Sequence, residues 1–201
     1  MRLAEEHHEL MAEIATSACW GLVVVVWIAG ALAGGRSGRR QGSGNGALWR
    51  VVTVGEAGAL YRAGRHDLHG LAEHASWIEI PGLVLLLAST GFTIWARIRL
   101  GRMWSASPDT LQESHELRTD GPYAVTRHPI YTGLLGMLIG TVLLNGVGVS
   151  LVFLVVGAAA IAMRIPIEER LMTMTFPEQY RRYRERVPRI VPGLQLLRRP
   201  H

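Results

Sequence analysis

The stretch PIYTGLLGMLIGTVLLNGVGVSLVFLVVGAAAIAM, residues 129–163, contains no Asp, Glu, Arg, Lys or His. As one helix it would be about 50 Å long, far more than the roughly 30 Å hydrocarbon core of a bilayer. Asn145-Gly146-Val147-Gly148 interrupts it near the middle with a turn-forming composition. The sequence therefore predicts a helical hairpin, residues 130–144 outward and 149–167 back, with both ends on one side of a membrane.

Working upstream, residues 77–96 form a second apolar block, followed by Arg97, Arg99 and Arg102. Residues 14–33 form another, twenty residues without a charge, followed by a glycine-rich loop holding Arg36, Arg39 and Arg40. Twenty helical residues span about 30 Å, enough for one crossing. Arginines flanking membrane helices mark the cytoplasmic side. Both arginine groups lie on that side only if a further crossing separates the two blocks, and residues 47–61 are the stretch available for it. That segment carries Arg50 and Glu56, so it is predicted as a short or partly inserted helix, with Glu56 turned inward or toward an interface. The fold class expected is all-α, a polytopic membrane helical bundle. It has about five transmembrane segments, an outside N-terminus and a cytoplasmic C-terminal region.

Composition agrees. The 201 residues are 49% hydrophobic, and mean hydropathy is +0.19. All 21 basic residues are arginine, a bias expected of a GC-rich, bacterial genome. The net charge of +5 fits arginine at a cytoplasmic membrane face better than nucleic-acid binding. The start, MRLAEEHHELMAE, holds four glutamates and one arginine. It lacks the positive region of a signal peptide, so the first block is expected to be an uncleaved helix. The single cysteine, Cys19, lies in that block. It permits no intramolecular disulfide or cysteine metal site and is expected to pack as a small apolar residue.

Just before the hairpin stands GPYAVTRHPIYTG, residues 121–133, with Tyr123, Arg127, His128, Pro129 and Tyr131. One membrane boundary needs far less polar chemistry. The expected topology puts three clusters on the same face: His115, Glu116, Leu117 and Arg118 with Thr119; the group around His128; and Arg164 with Glu168, one helical turn apart. Each has a simpler reading. Arg164 and Glu168 read as a surface ion pair, the tyrosines as interfacial anchors, Pro129 as a helix start. The arginines from Arg181 to Arg189 read as lipid-headgroup contacts. No metal site is expected.

Taken together, HELRTDGPYAVTRHPIYTG, then RIPIEERLMTMTFPEQYRRYRERVPRIVP after the hairpin, with LGRMWS upstream, resemble the isoprenylcysteine carboxyl methyltransferase family of integral membrane enzymes. The resemblance covers about residues 95–193. It implies S-adenosyl-L-methionine as cofactor, bound by His115, Glu116, Leu117, Arg118, Tyr123, His128, Pro129, Ile130, Tyr131 and Glu168. It implies Arg164 and Glu168 as catalytic residues, with Arg164 holding the acceptor. Residues 1–96 would be membrane helices and 97–201 the catalytic region. The acceptor implied is an isoprenylcysteine or another lipid-borne acid, reached in the inner membrane of a bacterial cell. An already ionised carboxylate needs no strong base, only positioning in a dry site; an amine or thiol acceptor would need Glu168, Glu169 or His128 as base. Phospholipid, amine or thiol methylation on the same scaffold, and a non-catalytic membrane module, are the alternatives.

Overall fold

The computed structural model describes residues 2–34, 76–101 and 117–191. Among them every regular element is helical: α1 (Arg2–Gly34), α2 (Ser76–Leu100), α3 (Pro122–Val125), α4 (Pro129–Asn145), α5 (Val149–Thr175) and α6 (Pro177–Arg186). Three stretches are long and apolar enough to cross a membrane, Leu10–Gly30, Ile78–Leu100 and Val149–Thr175, and the shorter Pro129–Asn145 is also apolar. Their outward faces expose Val84, Leu87, Val152, Val155 and Val156, which suits lipid rather than water.

The predicted hairpin is present. Gly146 ends α4 with φ +78, a conformation that favours glycine, and α5 starts at Val149. However, α5 runs on to Thr175, beyond the expected end at residue 167. About 20 of its residues cross 30 Å of hydrocarbon, so the turn bearing Glu168 emerges at the boundary and the helix continues past it. Likewise α1 begins well before the expected residue 14, because its acidic first turns are helical too.

The closest helix packing joins α2 to α4. Gly133, Gly136 and Gly140 occupy one face of α4, three and four residues apart. A Cβ at Gly140 would lie 2.7 Å from the Leu86 backbone nitrogen, so only glycine permits the approach. Opposite stand Ser89 and Thr93, both buried, and the Thr93 hydroxyl donates to the Ser89 carbonyl at 2.8 Å. This seam fixes the start of α4, and hence His128 and Tyr131, against the end of α2.

Helix α1 packs on the pair through Cys19, Val23, Leu86, Met137 and Leu144, which places Cys19 in the core as expected. The Trp20 indole donates to Thr141 Oγ1 at 3.2 Å, and Asn145 Nδ2 donates to Thr16 Oγ1 at 2.9 Å. At the other end the Arg97 guanidinium sits over Trp27, 5.8 Å from the ring centre. Helices α1 and α2 therefore run in the same direction, and Gly34 and Ser76 lie at opposite ends of the bundle. The expected crossing at residues 47–61 falls outside the described residues.

Candidate functional site

The site lies where α2 ends, α4 begins and α5 emerges. Gly121, with φ +58, turns the chain into the single turn α3. Thr126, fully buried, closes that turn, and Arg127 and His128 lead into α4 with Pro129 at its first position. Tyr131, one turn into α4, then faces the emerging end of α5. The Tyr131 hydroxyl donates to Glu168 Oε1 at 2.5 Å, and Arg164 Nε donates to the same oxygen at 3.2 Å. Glu168 Oε2 faces His128 Nδ1 at 3.7 Å. The His128 and Tyr131 rings are near-parallel, centres 5.9 Å apart.

Thus four residues singled out from sequence, His128, Tyr131, Arg164 and Glu168, meet around one carboxylate. The expected division, Arg164 to one ligand and Glu168 to another, starts from a direct ion pair between them. Tyr123 is buried; its carbonyl accepts from the Tyr183 hydroxyl at 2.6 Å, and burial pushes its phenol well above the ordinary range. Pro129 is buried and Ile130 half-buried in the first turn of α4. Arg118 lies 3.7 Å from Asp120, which also faces Arg99 at 3.5 Å. Leu117 packs on Tyr180, Tyr183 and Val187, an apolar contact rather than a polar one. His115 and Glu116 lie outside the described residues.

A second carboxylate enters the sequence reading only as a base for an amine or thiol acceptor. Glu169 is 5% exposed. Its Oε1 faces Arg127 Nη2 at 3.1 Å and His128 Nε2 at 3.5 Å, and its Oε2 accepts from Arg189 Nη2 at 2.5 Å. A buried carboxylate needs such partners, since an unpaired one is very costly. Arg189, expected as a headgroup contact, pairs with Glu169 while its side chain stays half-exposed. Arg181 and Arg182 also spend their charge within α6, on Glu178 and Glu185.

Burial alone would depress the His128 imidazole, but Glu168 and Glu169 outweigh it and hold its pKa above the ordinary value. His128 is thus the group tuned by both carboxylates. Among the described residues, no three His, Cys, Asp or Glu side chains gather as a metal site would require. The donor set instead suits a zwitterionic organic ligand. Glu168, 28% exposed, offers a carboxylate to an ammonium or to hydroxyls. Arg118 Nε is buried without a hydrogen-bond partner among the described residues, a donor suited to a ligand carboxylate.

The family described as Phospholipid methyltransferase matches residues 77–179, about half of the chain. Protein-S-isoprenylcysteine O-methyltransferase B of Arabidopsis thaliana is 36% identical over 126 residues, 61% of this chain and 63% of that protein. The cobalt-zinc-cadmium resistance protein CzcN of Cupriavidus metallidurans is 31% identical over 153 residues, 75% of this chain and 65% of that one. Among solved structures, the eukaryotic intramembrane Ras methyltransferase ICMT aligns with a TM-score of 0.52 at 26% identity, covering 59% of this chain and 43% of that enzyme. The chain thus spans just under two thirds of the length of these two curated relatives. With its apolar helices, this likeness to an intramembrane fold makes it an integral membrane protein.

Proposed function

The chain belongs to the phospholipid methyltransferase family, and from that premise we propose that it is an integral membrane S-adenosyl-L-methionine-dependent methyltransferase. Its reaction in this reading is carboxyl O-methylation of an isoprenylcysteine or another lipid-borne acid. The observation that carries the reading is the group of His128, Tyr131 and Arg164 around Glu168 at the emerging end of α5. Similarity to the plant isoprenylcysteine methyltransferase and to the Ras methyltransferase supports the choice of acceptor.

When bound, the cofactor supplies an electrophilic methyl group on a sulfonium. The protein's residues do the rest. Glu168, held by Tyr131 and Arg164, accepts hydrogen bonds from the ribose or the ammonium. His115, Glu116, Leu117, Arg118, Tyr123, His128, Pro129 and Ile130 complete the binding surface. Arg164 presents a planar guanidinium fork to the acceptor carboxylate. That carboxylate is already ionised at neutral pH, so no residue has to remove a proton. The apolar helix walls, together with the bound cofactor and acceptor, displace the water that reaches Glu168, which strengthens each of these interactions.

In this reading residues 1–96 anchor the protein and residues 97–201 carry the chemistry. The site faces the cytoplasm of a bacterial cell, where the cofactor is dissolved, and the acceptor reaches it from the inner membrane. The test is transfer of a radiolabelled methyl group to a farnesylated cysteine analogue and to the host's lipid extract. A product that releases methanol in mild base is the ester expected. A base-stable product, N- or S-methylated, contradicts the acceptor.

A further inference from the structure

The chain does not leave the molecule after α6. Residues 187–191 run back beside residues 126–132, an element some sixty positions earlier. Arg127 N donates to the Pro188 carbonyl at 2.8 Å and His128 N to the Arg189 carbonyl at 3.2 Å. The hydroxyls of Thr126 and Thr132 donate to the carbonyls of Arg189 and Ile190, each at 2.8 Å. Val187 is seated on Tyr180 and Tyr183. Four hydrogen bonds thus tie this short segment to the residues on either side of His128, and the Arg189 side chain adds a fifth, to Glu169.

The two adjacent carboxylates face different ways. Glu168 meets Tyr131 and Arg164 on the ligand side, whereas Glu169 meets Arg127 and Arg189 on the strap side. The His128 ring spans both, with Nδ1 3.7 Å from Glu168 and Nε2 3.5 Å from Glu169. Its backbone is held by the strap and its ring by the carboxylate that the strap's arginine engages. We infer that residues 187–191 are a strap that sets His128 in the site, with Glu169 and Arg189 as positioning residues for the transfer reaction. This rests on the methyltransferase reading for its kinetic consequence, but not for its geometry.

The test uses the full chain in detergent, with Glu169→Gln, Arg189→Gln and Arg189→Lys. The first readout is the imidazole titration of His128 by NMR with labelled histidine. The chain has eight histidines, so the signal is assigned by its loss in His128→Gln. The charged and titratable groups around the ring are Glu168 and Glu169 on α5, Tyr131 on α4, Arg127 beside it and Arg189 on the strap, with Tyr180 of α6 behind Glu169. Glu169→Gln removes a negative charge and lowers the His128 pKa. Arg189→Gln removes a positive charge from Glu169 and raises it. General loosening would move both variants the same way, toward the ordinary value, so opposite shifts identify the pairing. The second readout is affinity for S-adenosylhomocysteine and turnover. Arg189→Gln weakens one or both by on the order of 10- to 100-fold, as small misplacements of a positioned group do, and Arg189→Lys restores most of the loss. Should Glu169→Gln fail to fold, the half-exposed Arg189 still gives both readouts. An unmoved His128 titration in Arg189→Gln overturns the strap's role. If the wild type transfers no methyl group, the proposed function falls, and the strap stands or falls on the titration alone.

Discussion

Replacing Tyr131 with phenylalanine removes one oxygen and leaves the ring. The bond lost is the hydroxyl donated to Glu168 Oε1 at 2.5 Å. Hydrogen bonds to charged groups contribute about 1.5–3 kcal/mol. Two features move the expected loss to the low end. Glu168 is 28% exposed, so water takes part of the phenol's place, and Arg164 remains 3.2 Å from the same oxygen. The carboxylate then swings toward Arg164 and away from the position in which it would meet the cofactor. A loss of about 1.4 kcal/mol corresponds to a tenfold rise in Kd for S-adenosylhomocysteine. The assay is calorimetric titration of wild type and Tyr131→Phe in the same detergent, with thermal melting to show that both are folded. A Kd within twofold of wild type would mean that the carboxylate position does not depend on the phenol.

Three other outcomes are expected. Arg164→Lys keeps the charge but loses the fork, so it should bind S-adenosylhomocysteine normally and turn over poorly, while Glu168→Gln should weaken cofactor binding; an active charge-swapped double variant, Arg164→Glu with Glu168→Arg, would reduce the two residues to a surface ion pair worth under about 1 kcal/mol. The raised pKa of His128 means that its protonation favours the folded state. That contribution is fully present below the unfolded value of about 6.5 and is lost as pH rises through the folded pKa. The melting-temperature gap between wild type and His128→Gln should therefore be widest in mild acid and narrow as pH rises; a gap that widens with pH reverses the sign. Gly140→Ala should destabilise by about 1–3 kcal/mol through overpacking against the Leu86 backbone. Gly91→Ala, with open space around the new methyl, should be neutral or stabilising by roughly 0.5–1 kcal/mol; equal effects in detergent melts would deny the α2–α4 seam its tight contact.

The hairpin was legible because an uncharged run with Asn145-Gly146 at its middle has few other solutions, and the turn falls there. The pairing of Arg164 with Glu168 was legible from helical spacing alone. The end of α5 was not, since past the membrane boundary the helix carries Glu168, Glu169 and Arg170 and the apolar signal stops while the hydrogen-bond ladder continues. The seam at Gly133, Gly136 and Gly140 had a visible signal, small residues on one face of an apolar helix. The strap lies in the VPRIVP end of the stretch that carries the family resemblance, but nothing in it showed what it pairs with. The residues it pairs with around the start of α4 are some sixty positions away, and it meets them largely through its own backbone carbonyls, which carry no sequence signature. Arg189 stood within an arginine-rich tail where charge alone points to lipid. Glu169 sat beside Glu168; helical geometry turns the two about 100° apart, but only the fold shows that Arg127, His128 and Arg189 meet Glu169.

The proposed reaction moves a methyl group onto a lipid-borne carboxylate at this membrane site. The most direct measurement is incubation of the purified protein with S-adenosylmethionine labelled in its methyl group and a farnesylated cysteine analogue, followed by mild base. The expected result is label in the lipid fraction that base releases as methanol, and its loss in Arg164→Ala and Glu168→Ala. Label that stays with the lipid after base, or label that forms equally in both variants, would contradict it.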